Sequence, residues 1–536
     1  MAELKDVGDL VAVALADAGV RRAYMVPGAN LWLQKAVIRH PDLTLYCARH
    51  ESSAAFMAEA DARLSGVPAV MMAGRSPGAT NATNGVEAAH DSSTPMIVLL
   101  DDVETPSTRR EAFQKLDLLE FYRPITKACF LARAEDSLPE LISHALRVAT
   151  GGRPGPVLVA IPTDMAGAAS DWSPHPVGGL KPAAKPAAES ITAIAQRLAQ
   201  AEAPVIIAGG GAAHCREELV AVAEKFSAGL YVGFRRQDVF PNDHPLYLGH
   251  LGIAPPPASL VALREADLVL VVGTRLGQNT TQYFTLPRAG TAVMQIDIDP
   301  SRIGTSHPVV VGIAADAGVA LTALLDTSVK VPERDWAAHH QAYLASAEIP
   351  EDRGVDGVDP AQVIAAMARE LPADTVMANC AGGYATFVHT HWVYRHPRTQ
   401  IAPTTGTMGY SVPAAIAAKL ADPERCVVAN SGDGGFLMTG HEIEVAVRYK
   451  ADIIIVIYNN RRLSAGGFHD TVEGMDITDV DFASYARAFG AQGITVRETS
   501  QLAEAFRAAR DSSVVTVIDV KTDPAISTPD NRPWGS

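Results

Sequence analysis

The chain has 536 residues, enough for three or four domains at roughly 150 residues each. Hydrophobic residues make up 48% of it and charged residues 20%, a balance that excludes disorder for the bulk of the chain. The formal net charge of -15 argues against nucleic acid and anionic membranes as main partners, because both attract clustered Lys and Arg.

The sequence shows neither a membrane span nor a secretory signal. No apolar run approaches the roughly 20 residues that a bilayer requires, and the start, MAELKDVGDL, has no basic region before an apolar stretch. The five cysteines, at positions 47, 129, 215, 380 and 426, fit neither a disulfide framework nor a zinc spacing. These features predict a cytoplasmic protein.

Short apolar strands alternate with Ala-rich helical segments in three successive blocks. The first contains RRAYM, PAVMMAG, PMIVLLDD and PVLVAIP, the second PVIIA, LVLVV and AVMQIDID, and the third CVVAN, DIIIVIY and VVTVIDV. Such Val/Ile/Leu runs between helices are typical of parallel sheets covered on both faces. We predict an α/β fold of three consecutive doubly wound parallel-sheet domains, at residues 1–172, 187–328 and 358–536, with linkers at Ser173–Ser190 and about Asp326–Pro360.

The sharpest chemical signal lies in the third block. Strand CVVAN runs into Ser431-Gly432-Asp433-Gly434-Gly435, and strand DIIIVIY runs into Asn459-Asn460, so that Asp433 and Asn460 are 27 residues apart (460 − 433). In a βαβ unit both would lie at the carboxyl ends of adjacent strands, where α/β sheets bind ligands. Asp and Asn oxygens suit Mg²⁺, and the glycines let a phosphate approach the backbone. The pattern predicts a Mg²⁺–diphosphate site; two ordinary turns are the alternative.

Two further features lie in the first block. Glu51 opens the helix SSAAFMAEADARL, where an acidic residue could simply stabilise the helix dipole. Pro27-Gly28-Ala29-Asn30 forms a turn after the strand RRAYM.

Taken together, these motifs resemble the thiamine-diphosphate-dependent superfamily of pyruvate oxidases, acetolactate synthases and 2-oxo acid decarboxylases. The Gly-Asp-Gly to Asn-Asn block resembles the cofactor signature of that superfamily. The Pro-Gly turn, His50-Glu51, SPGATN, DSSTPMIVL and PTTGTMGYSVPAAIAAKL follow in the family's order. The stretch from Phe113-Gln114 to Lys127 looks most like acetolactate synthases. The three domains would then be pyrimidine-binding, central Rossmann-like and diphosphate-binding.

The resemblance implies how the chain would hold the pyrimidine ring of the cofactor. Glu51 would hydrogen-bond the ring nitrogen, and the Gly406 carbonyl would accept from the exocyclic amine. Met408 would be the apolar wedge behind the bent cofactor, and Pro27 and Gly28 would line the same side.

The resemblance also implies the contacts of the diphosphate. Asp433, the Asn460 side chain and the backbone carbonyl of Arg462 would coordinate Mg²⁺. The backbone contacts to the diphosphate would come from Gly382, Gly383, Gly434 and Gly435.

A further set of residues would contact the substrate and so determine which reaction follows. Gln114 and Lys127 match acetolactate synthase positions near the substrate, with a surface position as the alternative for Lys127. Asn30 supplies no ready proton donor but would orient the substrate. Arg461-Arg462 would receive an anionic substrate, or would be solvated loop charges. In the central domain, Phe234–Asp238 could reach toward the active-site mouth.

The implied activity is decarboxylation of a small 2-oxo acid with carboligation. The alternatives are a non-oxidative 2-oxo acid decarboxylase, an aldehyde or 2-hydroxyacyl-CoA lyase for a bulkier substrate and, more remotely, a non-catalytic nucleotide-binding homologue. The family also implies a homodimer or homotetramer with active sites between subunits. FAD occupies the central domain of acetolactate synthases, but Leu251–Pro255 lacks the flavin-contacting turn, so we favour a nucleotide-free spacer.

Overall fold

The computed structural model describes residues 6–28, 31–134, 137–165, 167–169, 185–463 and 473–530. They form three six-stranded sheets in which every strand pair is parallel, and helices flank each sheet. The predicted α/β class is therefore confirmed. No helix in these ranges is both long and apolar enough to cross a membrane.

The N-terminal sheet has the strand order β2-β1-β3-β4-β6-β5. Its strands β3, β4 and β6 are buried along nearly their whole length, as expected where helices cover both faces. The strands are β1 (Arg22–Met25), β2 (Thr44–Cys47), β3 (Ala69–Ala73), β4 (Met96–Asp102), β5 (Ala128–Leu131) and β6 (Pro156–Pro162). The helices are α1 (Val7–Asp17), α2 (Leu31–Arg39), α3 (Glu51–Ser65), α4 (Ser76–Ser92), α5 (Leu118–Tyr122) and α6 (Leu138–Thr150).

The central sheet has the order β12-β11-β10-β7-β8-β9, the order of a dinucleotide-binding fold. Its strands are β7 (Pro204–Ala208), β8 (Gly229–Val232), β9 (Tyr247–His250), β10 (Leu268–Val272), β11 (Ala292–Asp297) and β12 (Val311–Ala314). Its helices are α7 (Ala188–Gln200), α8 (Arg216–Lys225), α9 (Val261–Glu265), α10 (Ala317–Leu325) and α11 (Ala337–Ala347).

Helix α11 corrects one sequence prediction, because it lies inside the segment 326–360 that we predicted as a linker. His340 and Tyr343 on this helix are buried, and His340 Nδ1 lies 2.8 Å from the Tyr247 carbonyl oxygen of β9. The segment therefore completes the central domain as well as leading to the next one.

The C-terminal sheet has the order β14-β13-β15-β16-β18-β17, the same order as the N-terminal sheet. Its strands are β13 (Val376–Asn379), β14 (Gln400–Ile401), β15 (Val427–Gly432), β16 (Ile454–Asn459), β17 (Gln492–Val496) and β18 (Thr516–Lys521). Its helices are α12 (Pro360–Glu370), α13 (Tyr384–His391), α14 (Ser411–Ala421), α15 (Asp433–Thr439), α16 (Ile443–Arg448), α17 (Phe482–Ala488) and α18 (Leu502–Arg510).

The N- and C-terminal domains share one hydrophobic core, which includes Phe56 of α3 and Tyr410 beside α14. Their rings pack edge to face with centroids 5.3 Å apart. Helices α3 and α4 are also tightly packed, because a Cβ at Gly85 would collide with Ala55. This packing fixes the position of α3, whose first residue is Glu51.

Candidate active site

The crevice of the C-terminal sheet lies between β13 and β15. From β13 the sheet continues to β14 on one side, and from β15 it continues to β16 on the other. In open α/β sheets, ligands bind at such a switch point, beyond the carboxyl ends of the strands. Gly382 and Gly383 follow β13, and Asp433 follows β15, so both predicted diphosphate-binding segments flank this crevice.

Asp433 and Asn460 meet beside it, as their spacing predicts. The register pairs Gly432 with Tyr458, so the two residues leave neighbouring strands at the same level. The backbone N–H of Arg462 lies 3.3 Å from Asp433 Oδ2 and 3.1 Å from Asn460 Oδ1. One amide thus faces both side-chain oxygens, and the backbone at 462 closes the cluster.

The surroundings of the Asp433 carboxyl favour a cation beside it. It is buried, and burial raises its pKa to about 6 although the N–H groups of Gly434, Arg461 and Arg462 act in the opposite direction. A buried carboxylate of this kind is stabilised by a cation. A single carboxylate with an amide oxygen and backbone atoms suits Mg²⁺, which retains waters or phosphate oxygens in its shell. Among the described residues there is no group of three or more His, Cys, Asp or Glu arranged for a metal.

Four glycines form a cradle at the crevice, which we call the glycine cradle: Gly382, Gly383, Gly434 and Gly435. A Cβ at Gly434 would collide with Leu463 Cδ2, and one at Gly435 would lie 3.1 Å from both Cys380 Sγ and Ser431 Oγ. Gly382 has φ +156°, and its Cβ would lie 2.7 Å from the Tyr384 ring. The backbone at Gly382, Gly434 and Gly435 is therefore packed too closely for a side chain, and such bare backbone fits a diphosphate bound through backbone contacts.

The second predicted loop, with Gly406 and Met408, lies against the first. The Ala381 N–H donates to the Thr407 carbonyl at 3.1 Å. Gly406 has φ +73°, the left-handed region that favours glycine, and a Cβ there would meet open space. Met408 is half-buried. The structure therefore brings the loop predicted for the pyrimidine ring next to the glycine cradle.

Glu51 lies at the start of α3, and its carboxylate contacts α4. It is the first residue of α3, behind a His50 N-cap whose Nδ1 accepts the Ser52 N–H at 3.2 Å. Its Oε2 accepts from Asn81 Nδ2 of α4 at 3.0 Å, and a Cβ at Gly78 would lie 3.1 Å from its Oε1. The carboxyl is half-buried and its orientation is fixed by Asn81.

Helix α4 also reaches the C-terminal domain. Asn84, one turn after Asn81, accepts from the Thr407 hydroxyl at 2.9 Å. One helix thus contacts both the Glu51 carboxylate and the loop of Gly406 and Met408.

Sequence reasoning missed Glu442, which links the same two domains. Its buried carboxylate accepts the N–H of Arg49 at 3.1 Å and that of His50 at 3.1 Å, immediately before Glu51. The sequence shows only His441-Glu442 at the beginning of a helical segment, and its partners lie nearly 400 positions away. The pairing of Glu51 with Asn81 was also missed, although SPGATN itself was recognised.

The remaining predicted residues have varied surroundings. Gln114 has φ +60° and its carbonyl accepts the Ser76 N–H at 3.2 Å, at the start of α4. Lys127 Nζ donates to the carbonyls of Val148, at 2.6 Å, and Gly151, at the end of α6. That contact stabilises a helix end, and the substrate role of Lys127 stays a prediction. Pro27 and Gly28 are exposed, and Asn30 lies outside the described residues.

The glycine-rich turn of the central domain is tightly packed. Cβ atoms at Gly209 and Gly211 would collide with or crowd the turn at Gly273, and one at Gly210 would lie 2.6 Å from Arg236 Nε. This packing accounts for the glycines, and α8 begins only at Arg216. Arg275, at a position that resembles a flavin-binding one, donates instead to the Asp91 carbonyl at 2.7 Å. The interpretation of the domain as a nucleotide-free spacer stays a prediction.

Comparison with known sequences agrees with this geometry. Three family profiles match in order: the thiamine pyrophosphate enzyme N-terminal TPP binding domain at residues 5–121, the central domain at 191–324 and the C-terminal TPP binding domain at 381–520. Thiamine pyrophosphate, or TPP, is another name for thiamine diphosphate.

Several curated relatives span almost the whole chain. A probable acetolactate synthase large subunit of Methanocaldococcus jannaschii is 30% identical over 97% of this chain and 93% of its own length. The probable 2-ketoarginine decarboxylase AruI of Pseudomonas aeruginosa is 32% identical, with 96% and 93% covered. Acetolactate synthase isozyme 3 large subunit of Escherichia coli is 29% identical, with 97% and 95% covered.

The chain belongs to the thiamine pyrophosphate enzyme family. It is a thiamine-diphosphate-dependent enzyme of the lyase/transferase kind, and the predicted resemblance to acetolactate synthases is confirmed.

Proposed function

We propose that this enzyme uses thiamine diphosphate and Mg²⁺ to decarboxylate a 2-oxo acid and to ligate the remaining fragment to a second carbonyl compound, in the manner of acetolactate synthases. The observation that carries the proposal is the convergence of Asp433 Oδ2 and Asn460 Oδ1 on the Arg462 amide at the crevice of the C-terminal sheet. The family profiles on both sides of the site support the cofactor.

Mg²⁺ would be held by Asp433, the Asn460 side chain and the Arg462 carbonyl. The raised pKa of Asp433 supports this assignment, because a cation would stabilise the ionised carboxyl that burial disfavours. The glycine cradle would supply backbone contacts to the diphosphate, which carries the remaining negative charge.

The chain's own residues would orient and protonate, while thiamine diphosphate supplies the electron sink for decarboxylation. Glu51 would donate to or accept from the pyrimidine ring nitrogen, and Asn81 holds the carboxyl in one orientation for that proton exchange. The Gly406 carbonyl would accept from the pyrimidine amine, and Met408 would pack behind the ring. The contacts of α4 hold Glu51 and this loop in position within each chain, and the subunit contact proposed below would bring Glu51 to the cofactor of the partner subunit.

A simple decarboxylase is the second candidate. One of the relatives that covers nearly the whole chain is a probable 2-ketoarginine decarboxylase, and Lys127, the predicted acetolactate-synthase-like substrate contact, is engaged with α6. The substrate would then be decided by Asn30, Gln114 and the loop at Arg461 and Arg462. Arg461 is exposed in a left-handed backbone conformation, φ +59°, available to an anionic group.

A homodimer or homotetramer would complete the active site between subunits. Large apolar side chains beside the site support this: Phe113, next to Gln114, is 78% exposed, and Leu437 and Met438 on α15 are 49% and 54% exposed. Neighbouring exposed apolar side chains such as Leu437 and Met438 are typical of association surfaces. Sedimentation equilibrium should give a dimer or tetramer for the wild-type chain, and a monomer for a Leu437→Asp, Met438→Asp double variant.

The experiment that tests the proposed reaction is proton NMR of the protein with thiamine diphosphate, Mg²⁺ and a 2-oxo acid. Pyruvate is the first substrate, followed by basic, aromatic and anionic 2-oxo acids. A 2-hydroxy ketone such as acetolactate supports carboligation, whereas an aldehyde alone supports the decarboxylase. Consumption of none of these acids by protein loaded with both cofactors would reject both candidates.

A further inference from the structure

The central domain inserts a buried arginine into the C-terminal domain. Arg235, shortly after β8, is 4% exposed. Its Nη1 donates to the Pro403 carbonyl and its Nη2 to the Cys380 carbonyl, the latter at 3.3 Å. These two carbonyls stand at the beginning of the two segments that carry the predicted cofactor contacts, 381–383 and 404–408.

A second arginine reaches the same point from the N-terminal domain. Arg63 of α3 donates from Nη1 to the Ala402 carbonyl at 2.6 Å and from Nη2 to the Arg235 carbonyl at 3.0 Å. We call Arg63 and Arg235 the arginine clamp. All three domains therefore meet at residues 402–403, where two consecutive carbonyls each accept from an arginine of a different domain.

Arg235 is retained there in unfavourable surroundings. Its φ of +57° is a left-handed conformation that non-glycine residues rarely adopt, and such strain concentrates at functional sites. Its Nε is buried without a hydrogen-bond partner, and its guanidinium lies 4.9 Å from the Phe234 ring centroid. In the part of the chain that the structure describes, no carboxylate forms an ion pair with it. A buried charge in this state is costly.

The bridging position of Arg235 gives a reason why a buried charge is kept there. The hydrogen bond from the Ala381 N–H to the Thr407 carbonyl joins the two segments directly, and Arg235 bridges them at a second point, between Cys380 and Pro403. Two points of attachment fix the relative position of two loops better than one. The bridge lies two residues from Gly382, so its positive charge stands close to where the diphosphate anion would bind.

We infer that Arg235 is a positioning residue for the cofactor: it fixes the spacing of segments 380–383 and 402–408, and its unneutralised charge attracts the diphosphate. This inference rests on the proposed placement of thiamine diphosphate at the glycine cradle. It also gives the central domain a role in cofactor binding through its contact with the C-terminal domain.

Arg216 provides a matched control. It also crosses from the central to the C-terminal domain and donates to a backbone carbonyl, that of Arg395, at 2.8 Å. Arg395 precedes β14, however, so this contact lies on the amino-terminal side of the sheet, away from the crevice. Arg216→Met should weaken the contact between the central and C-terminal domains and leave segments 381–383 and 404–408 in place.

The test measures the Kd of thiamine diphosphate at saturating Mg²⁺ by fluorescence quenching, on the full chain, together with the thermal midpoint of the cofactor-free protein. We expect Arg235→Met to raise the Kd about tenfold or more, since it removes both donors and the charge. Arg235→Lys keeps the charge and should recover part of the affinity. Arg216→Met should lower the thermal midpoint but leave the Kd within about twofold of wild type.

The outcomes separate this inference from the proposed function. If both Arg235 variants bind thiamine diphosphate with the wild-type Kd, the inference is overturned while the function stands. If Arg235→Met does not fold, Arg235→Lys decides: weaker binding than Arg216→Met supports the inference, and equal binding overturns it. Failure of the wild-type protein itself to bind thiamine diphosphate would overturn both.

Discussion

Glu442 offers the sharpest single test of how the N- and C-terminal domains are joined at the active site. Its fully buried carboxylate accepts the N–H groups of Arg49 and His50, each at 3.1 Å. Both N–H groups share Oε1, and the Arg49 N–H also lies 3.2 Å from Oε2. Glu442→Gln keeps an oxygen that can accept from both donors but removes the negative charge and turns an amide NH₂ toward the Arg49 N–H. A hydrogen bond to a charged group contributes about 1.5–3 kcal/mol and one to a neutral group about 0.5–1.5 kcal/mol, so neutralising the acceptor of two buried bonds should cost about 2–3 kcal/mol.

Glu444→Gln is the control for this prediction. Glu444 contacts the same Arg49, through Nε at 2.6 Å, but the pair is about one-third exposed on both sides. Exposed ion pairs of this kind contribute about 0–1 kcal/mol. Both variants make the same Glu→Gln change at a residue that contacts Arg49. The difference between their free energies of unfolding therefore reports the effect of burial.

Urea unfolding followed by circular dichroism gives the free energy of unfolding, and steady-state turnover gives the effect on catalysis. Because Glu51 follows His50 directly, Glu442→Gln should also lower kcat, while Glu444→Gln should leave it near wild type. Equal unfolding free energies for the two variants, within about 0.5 kcal/mol, would refute the argument that the buried contacts hold the start of α3.

Three further predictions follow from the site and the core. Asp433→Asn should weaken Mg²⁺-dependent binding of thiamine diphosphate at least about 100-fold, measured by calorimetry, since it removes the carboxylate ligand; unchanged Mg²⁺ affinity would exclude Asp433 as a ligand. Glu51→Gln should leave cofactor binding nearly intact but lower kcat by about 10²–10⁴-fold; turnover equal to wild type would disprove its proposed role. Burial lowers the pKa of His250 to about 4, below its ordinary 6.5, so its stabilising contribution is complete above pH 6.5 and lost as the pH falls to 4. In His250→Asn the fall of the unfolding free energy between pH 6.5 and pH 4 should be smaller by up to about 3 kcal/mol. A pH profile equal to that of the wild type would contradict this.

Much of the fold could be predicted because its signals are local. Continuous apolar runs such as Ile453–Tyr458 identify buried parallel strands, and the spacing of Asp433 and Asn460 reports a strand–helix–strand unit whose ends must meet. The structure agrees on both points. Helix α11 was mistaken for part of a linker because only His340 and Tyr343 of its residues are buried, too weak a pattern for a helix.

The parts of the site that escaped prediction depend on distant partners. The sequence suggests that Phe234–Asp238 reaches toward the active site, but it does not show what Arg235 binds, since its acceptors, Cys380 and Pro403, lie 145 and 168 positions away. Glu442 is hidden for the same reason. Lys127 bonds to the end of the nearby helix α6, a contact that the family motif does not reveal, and its substrate role stays a prediction.

The central claim is that a cofactor site built on Asp433, Asn460 and Glu51 decarboxylates a 2-oxo acid. The most direct measurement is CO₂ release from a panel of 2-oxo acids by chelator-treated protein, with thiamine diphosphate and Mg²⁺ restored singly and together. We predict CO₂ release from at least one acid only when both are present. Release that is indifferent to either cofactor, or no release from any acid by protein that binds both, would contradict the claim.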